Sequence, residues 1–410
     1  VLLVVLAAVV GRVSYAGGDQ IYLGWPPLLA QWLPHVGPGT PAALVTAVLV
    51  VAYGPGLAAR LGWRPLLATG YAAAVAWTLS LALVDGWQRG VADRLTADDE
   101  YLHDVGRVGD VGAMLRTFSD FIVTADHPGH WTTHVGAHPP GAFLVYVGLD
   151  RIGLGGGGPA GIVTILVGAS ACVAVAVAVR AVAGEELARR VLPFGVLLPG
   201  AVWVGVSADG MFAAVLAWGV ALVAIGATGR LAWAAVGGLL LGYTVYLSYG
   251  LALGVLVAVA VVVASRRWAA AGVAALGALA VAAAFTAAGF WWFTGLQRTG
   301  VIYAASAAAA RPYAYFVWAN LAAVSFAAGP AVYAGIRRAI SRAPRALPTA
   351  ALLLVAGAGA GLLLADLSGL SKAEVERIWL PFVVWLVIPC AALPRPRVWL
   401  IAQACLALLV

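Results

Sequence analysis

Lysine is all but missing from this chain of 410 residues: Lys372 stands alone among 24 basic side chains. Charge of either sign is scarce, at 10% of residues, where a soluble domain carries about 25%. That scarcity excludes a soluble globular fold, which needs a charged exterior. Cysteine is limited to Cys172, Cys390 and Cys405, far apart and inside apolar runs. A disulfide framework and a thiolate metal site are therefore excluded, and core packing is expected of all three. No phosphate-binding P-loop, dinucleotide Gly-x-Gly-x-x-Gly, His-Glu-x-x-His or Gly-x-Ser-x-Gly occurs in the context its chemistry requires. This argues against nucleotide-driven and serine-hydrolase chemistry.

What is present is apolar: 63% of residues are hydrophobic and the mean hydropathy is +0.97. Apolar runs of roughly 17–25 residues recur, the length a helix needs to cross about 30 Å of hydrocarbon. Backbone polar groups find no partner in lipid, and the alternation of a barrel is missing, so the runs are expected to be helices. The fold class predicted is all-α, a polytopic transmembrane bundle forming a single domain over 1–410, in the cell (plasma) membrane. The Ala/Val/Gly/Arg bias is that expected of a GC-rich, actinobacterial type of genome. A start at Val1 without Met and an end inside the apolar run 401–410 suggest trimming at both ends, which leaves open whether a C-terminal part is missing.

Apolar runs fall at about 1–14, 42–59, 66–84, 138–154, 160–180, 191–206, 211–229, 231–247, 249–265, 268–293, 313–336, 348–365, 378–394 and 397–410. Arginines cluster in short connections: Arg60/Arg64, Arg180/Arg189/Arg190, Arg230, Arg266/Arg267, Arg337/Arg338/Arg342/Arg345 and Arg395/Arg397. The positive-inside rule places these in the cytoplasm and accounts for the net charge of +7 without any affinity for nucleic acid. The loop 85–137 and the connections 294–312 and 366–377 then face outward. The alternation holds only if 138–154 dips into the outer leaflet or lies along it, leaving about 13 spans. Pro139-Pro140 at its start and Gly155–Gly158 at its end suit a short isolated helix.

The loop 85–137 is the chain's polar interruption. It holds nine of the 17 acidic residues, and five of the six histidines lie between His103 and His138. A loop beyond about 15 residues is usually functional or disordered. Within it, Asp98-Asp99-Glu100 is followed by Tyr101 and His103. Three adjacent carboxylates repel, which raises at least one pKa. Such a cluster supplies a general base, or oxygen ligands for a divalent cation such as Mg²⁺ or Mn²⁺, or simply a solvated acidic surface. His127, His130, His134 and His138 have the spacing of a metal-binding stripe on a helix, but Pro128, Gly129, Gly136 and Pro139 argue against that helix. His138 is better read alone, as a donor at the mouth of the dipping helix. Asp209, in Ser207-Ala208-Asp209-Gly210, is either a helix N-cap or a further carboxylate at the depth of the loop. Outside the loop, the outward cations are Arg298, Arg311, Lys372 and Arg377. Arg377, next to Glu376 and before Ile378-Trp379-Leu380-Pro381, is placed either to hold a phosphate or to snorkel at the interface. Trp291, Trp292, Tyr303, Tyr313, Tyr315 and Trp318 read as an interfacial aromatic belt.

With these residues in view, the chain resembles the GT-C superfamily of integral-membrane glycosyltransferases. It is most similar to the branch of the protein O-mannosyltransferases and the aminoarabinose transferase of lipid A modification. The resemblance rests on Asp99-Glu100-Tyr101 in the first large outer loop and on His138-Pro139-Pro140 closing it. Asp209 opening a later helix and Glu376-Arg377 before a Pro-containing helix complete the set, in that order, over most of 66–394. Two runs, 1–14 and 42–59, precede the helix leading into the loop where the family has one, and Asp98 leaves the acidic register open by one residue.

The resemblance implies transfer of a sugar from a polyprenyl-phosphate donor to a hydroxyl acceptor of the cell envelope (glycan, lipid or protein) on the outer face, with inversion. It implies Asp99 as general base, Asp98 as the register alternative, Glu100 as polar support and Asp209 as an orienting group. Tyr101, His138, Arg311, Lys372 and Arg377 would bind substrate, with His138 and Arg377 on the donor phosphate. Two other classes stand beside it: a transporter or lipid-linked sugar flippase, and an inactive scaffold for envelope assembly. Transporters place ionisable groups at mid-membrane and are often built from repeats. Here the polar groups gather on one face and no repeat is found.

Overall fold

Long runs of Ala, Val, Leu and Gly with no charge have one stable backbone solution in an apolar medium, the α-helix. The computed structural model describes residues 1–123, 129–342 and 346–410. Asp126, His127 and Arg345 lie outside the described residues. Among the described residues the chain is helical throughout and has no strand beyond an isolated bridge between Trp25 and Leu28.

Among the described residues, six helices are long and apolar enough to cross a membrane: Thr40–Arg60, Trp63–Asp85, Gly157–Ala183, Ala208–Thr228, Trp268–Ala287 and Thr349–Leu367. A seventh crossing results if the pair Tyr313–Ala328 and Pro330–Arg342, bent by 106°, counts as one span. The sequence reading expects about 13. The difference has a physical cause: several apolar runs are divided by prolines and glycines that a hydropathy sum does not register. The run 191–206 stops at Val196 before Pro199-Gly200 and resumes only as Ala201–Val204. The run 378–394, with Pro381 and Pro389, becomes the short pieces Leu380–Val383 and Ile388–Ala392. Leu2–Ala16, Ala232–Leu247 and Pro396–Leu409 are intact but have 17 residues or fewer, about 25 Å at most.

The helix Ala208–Thr228 is the axis of the bundle. It packs against Gly157–Ala169, Ala171–Ala183, Ala232–Leu247 and Val255–Ser265, and most of its side chains are buried. Close approach depends on small residues, as expected where lipid removes the hydrophobic drive between helices. A Cβ on Gly238 would stand 2.0 Å from the carbonyl oxygen of Ala274, and one on Gly226 would stand 2.4 Å from the amide nitrogen of Ala234. The 106° bend lies at Gly329, whose φ of +78° is open to glycine. The backbone groups freed there are satisfied by buried Gln403 from the last helix. Its Nε2 donates to the Ala328 carbonyl at 2.9 Å, and its Oε1 accepts from the Ala331 amide at 3.2 Å.

The described parts of the polar segment, 85–123 and 129–137, share an aromatic core. Phe118 stacks on Trp131, and Trp131 donates its indole N–H to the Phe118 carbonyl at 2.9 Å. Buried Asp104 accepts from Arg107 at 2.6 Å and from the Thr132 amide at 2.7 Å, while Arg107 also donates to the carbonyls of Gly129 and His130. These bonds tie the end of the segment back to its acidic start. The helix that follows, Pro140–Arg151, has 12 residues, roughly 18 Å. Both of its ends touch the polar segment. His138 receives the ring of Tyr101, and Arg151 donates to the carbonyls of Val108 and Gly109 at 2.6 Å. Its length is below that of the candidate spans, and both of its ends are held by the polar segment.

Candidate active site

Three separate stretches converge at the polar end of the bundle: the acidic turn at 98–101, the start of the helix Ala208–Thr228, and the short helix Val375–Ile378. Arg377 Nη1 lies 3.1 Å from Asp209 Oδ2, and Arg377 Nη2 lies 2.9 Å from Glu374 Oε2. Asp209 is buried, in the first turn of its helix, where the helix dipole favours a negative charge. The N-cap is Ser207, whose hydroxyl donates to the Trp203 carbonyl at 2.7 Å. Asp209 is therefore not the cap, and its carboxylate is turned to Arg377. Burial opposes the charge on Arg377, but Asp209, Glu374 and Glu100 outweigh it and hold the guanidinium above its ordinary pKa.

The acidic triplet separates by one residue. Asp98 and Asp99 are exposed, while Glu100 turns inward. Glu100 Oε1 lies 3.5 Å from His134 Nδ1. Burial pushes its carboxyl above the usual range; His134 and Arg377 oppose that shift, and Asp99 and Asp209 add to it. Asp99 contributes a backbone carbonyl that accepts from the His134 amide at 2.9 Å. The carboxylate that shares its surroundings with Asp209 and Arg377 is thus Glu100, one position beyond the base expected from the sequence.

Three other expected site residues have internal partners. His138 was expected to help hold a phosphate as a donor. Its Nδ1 lies 2.8 Å from the His134 carbonyl, which makes that nitrogen the donor and leaves Nε2 as an acceptor. Burial lowers its pKa to about 4, with Asp209 opposing, which favours the neutral ring. Arg311 and Lys372 were expected to bind substrate directly. Instead they latch two loops together: Arg311 Nη1 donates to the Lys372 carbonyl at 2.6 Å, and Lys372 Nζ donates to the carbonyls of Ala309 and Arg311 at 2.8 Å. Arg311 reaches the site through charge, since Glu374 and Glu376 are among the groups that oppose the lowering of its pKa by burial.

Tyr101 is buried, with its ring stacked against Tyr146 at 5.2 Å and beside His134 and His138 at about 6 Å. It forms the floor of the site. Its hydroxyl has no partner, and burial, then Asp209, push its pKa well up. Cys172 and Cys390 are buried as expected, whereas Cys405 is exposed on the last helix.

Sequence reasoning missed Glu374 and the pair that aims it. Ala373 and Glu374 both have positive φ, +73° and +59°, a conformation that costs non-glycine residues energy and gathers at functional sites. Buried Asn320 supports it. Its Nδ2 donates to Asp366 Oδ1 at 2.9 Å and to the Ser371 carbonyl at 2.8 Å, and its Oδ1 accepts from the Ala373 amide at 3.3 Å. Glu376 is buried with Oε2 unpartnered, and burial raises its pKa to about 7. The only local signal for Glu374 was its i,i+3 spacing to Arg377.

Among the described residues, no group of three or more His, Cys, Asp or Glu side chains is arranged to hold a metal ion. Compared with known protein families, curated proteins and solved structures, the chain matches none.

Proposed function

We propose that this protein is a membrane glycosyltransferase of the GT-C type, acting on the outer face of the plasma membrane. It moves a sugar from a polyprenyl phosphate to a hydroxyl of a cell-envelope glycan, lipid or protein, with inversion. The observation that carries this reading is the convergence of Glu100, Asp209 and Arg377 from three distant stretches into one cluster of interacting charges. In this reading, Glu100 removes the acceptor hydroxyl proton as that oxygen attacks the anomeric carbon. The bond from that carbon to the phosphate oxygen breaks, and Arg377 holds the departing phosphate. Asp209 fixes the guanidinium, and His138 Nε2 accepts a hydroxyl. General-base assistance is worth about 10²–10⁴-fold.

The donor's apolar tail has a place to lie. A cavity of about 560 Å³ runs between the helices Ala232–Leu247, Val255–Ser265 and Trp268–Ala287, with Trp291, Trp292 and Phe293 at one end. Tyr246 lines it and also abuts Gly141, just after His138-Pro139-Pro140. The shorter apolar helices and the broken runs would supply the further crossings that bring the total toward about 13.

The test is transfer from a labelled polyprenyl-phosphate sugar by protein reconstituted in vesicles. Glu100→Gln should abolish transfer while donor binding persists. Transfer within about threefold of the parent would contradict a base worth 10² or more. Sugar-lipid movement across the bilayer that survives Glu100→Gln would favour the transporter class, and neither activity would favour a scaffold.

A further inference from the structure

At the opposite, arginine-rich end of the bundle lies a cavity of about 660 Å³ with no part in the transfer chemistry. It opens between the ends of Thr40–Arg60 and Glu185–Val196 and the connection leading into Pro396–Leu409. Its depth is apolar: Pro55, Ala58, Pro193, Phe194, Leu393 and Leu400 line it. Its rim is charged, by Glu185, Glu186, Arg189, Arg190 and Arg395.

The charges at the rim are not equally committed. Glu185 is neutralised twice, by Arg180 at 2.8 Å and Arg189 at 2.5 Å. Arg189 is further fixed by donating to the carbonyls of Ala58 and Leu61 at 2.8 Å. These three side chains staple helices together and have no capacity left. Glu186 is 90% exposed and stands 3.7 Å from Arg190, a loose surface contact. Arg190 has one hydrogen bond, to the Ala391 carbonyl at 2.5 Å, and is otherwise half exposed. Arg395 is exposed, and its side chain has no partner among the described residues. Its backbone is left-handed, with φ of +52°, between Pro394 and Pro396, which themselves line the cavity. A non-glycine residue in that conformation is costly; its carbonyl accepts the Val398 amide at 3.0 Å where the last helix starts, and its side chain is left over.

An apolar slot capped by the unpartnered guanidinium of Arg395 and the half-exposed guanidinium of Arg190, which keeps donors beyond its single bond to Ala391, matches an amphiphile with an anionic head. Basic pockets between helices at the membrane surface bind anionic lipid headgroups in this way, and guanidinium suits phosphate oxygens bidentately. We propose that this cavity is a binding site for an anionic phospholipid of the adjacent leaflet, its phosphate between Arg190 and Arg395 and an acyl chain against Phe194 and Leu400. The site is independent of the transfer reaction.

The experiment is lipid binding to the purified full chain in neutral detergent by native mass spectrometry, with phosphatidylglycerol and phosphatidylcholine as probes. The chain should prefer phosphatidylglycerol. Arg395→Gln, which removes no internal bond, should reduce that preference about fivefold, and Arg190→Gln with Arg395→Gln about 25-fold, one surface charge being worth about 1 kcal/mol. Ala59→Trp, which fills the cavity without changing charge, should reduce binding of both lipids. Equal binding of the two lipids, or an unchanged preference in Arg395→Gln, would overturn the proposal. So would competition by millimolar inorganic phosphate as effective as the lipid's, which would mean that the apolar slot contributes nothing.

Discussion

Arg377 meets Asp209 at 3.1 Å in a setting where both side chains are largely out of water, and Glu374 closes on the same guanidinium from the other side at 2.9 Å. A buried pair of this kind is costly to break on one side only, because the remaining charge loses its partner. Arg377→Ala should therefore destabilise the protein by roughly 3–5 kcal/mol. Arg377→Ala combined with Asp209→Asn should recover most of that stability without recovering transfer. Thermal unfolding in detergent beside an activity assay separates the two effects. If the double variant melted as low as Arg377→Ala, the pair would not be the source of the loss.

The acidic triplet offers a comparison within three residues. Glu100→Gln should lower transfer by about 10²–10⁴-fold. Asp98→Asn and Asp99→Asn, both at exposed carboxylates, should stay within about threefold. Because burial raises the Glu100 pKa, transfer should fall on acidification at a pH above the ordinary carboxylate value, with the base lost as it takes up a proton. A rate profile flat down to the ordinary carboxylate range, or a large effect of Asp99→Asn, would return the base to Asp99.

Glu376 gives a pH dependence of stability. Its pKa is raised from 4.5 to about 7, so the folded state holds the proton more tightly than the unfolded state. Stability from this group is complete below pH 4.5 and is lost as pH rises through about 7. Glu376→Gln should melt with the parent at pH 4.5 and above it at pH 8, by roughly 3 kcal/mol at most. Equal melting at both pH values would place the charge elsewhere.

Asn320 acts on the site at a distance. Asn320→Ala removes its bonds to Asp366, Ser371 and Ala373, each worth about 1 kcal/mol and more where a charged group is left behind. The loop carrying Glu374 should relax from its left-handed turn, shifting Arg377. We expect weaker donor binding, read as a raised KM, with kcat less affected. The opposite split would make Asn320 part of the chemical step.

The class of the protein was legible because apolar runs and clustered arginines are long-range statistical features that need no coordinates. The residues at the polar end of the bundle were legible as a set for a similar reason: Asp209, Arg377 and the acidic triplet stand out in a chain with so little charge. What could not be read was which way each side chain turns. Glu100 and Asp99 differ by one position in a turn, and only the packing of Tyr101 against Tyr146 and His138 decides which carboxylate faces inward. Arg311 and Lys372 looked like free cations because backbone carbonyls, which accept from both, leave no trace in side-chain identity. The breaks inside the apolar runs were illegible for a related reason, since hydropathy adds across Pro199-Gly200 and Gly329-Pro330 as though the helix continued.

The corner at Gly329 has a consequence for how the protein is made. Its two freed backbone groups are met by Gln403, on the last helix of this sequence. A ribosome delivers the chain from its N-terminus at about 5–20 residues per second, so Tyr313–Ala328 and Pro330–Arg342 are synthesised several seconds before their partner exists. Until then a carbonyl and an amide stand open at the corner, and a Cβ in place of the Gly329 hydrogen would later collide with the Gln403 amide at 2.1 Å. The bend can therefore be locked only after synthesis has passed Gln403, which makes the closing helix the latch of the bundle during biogenesis.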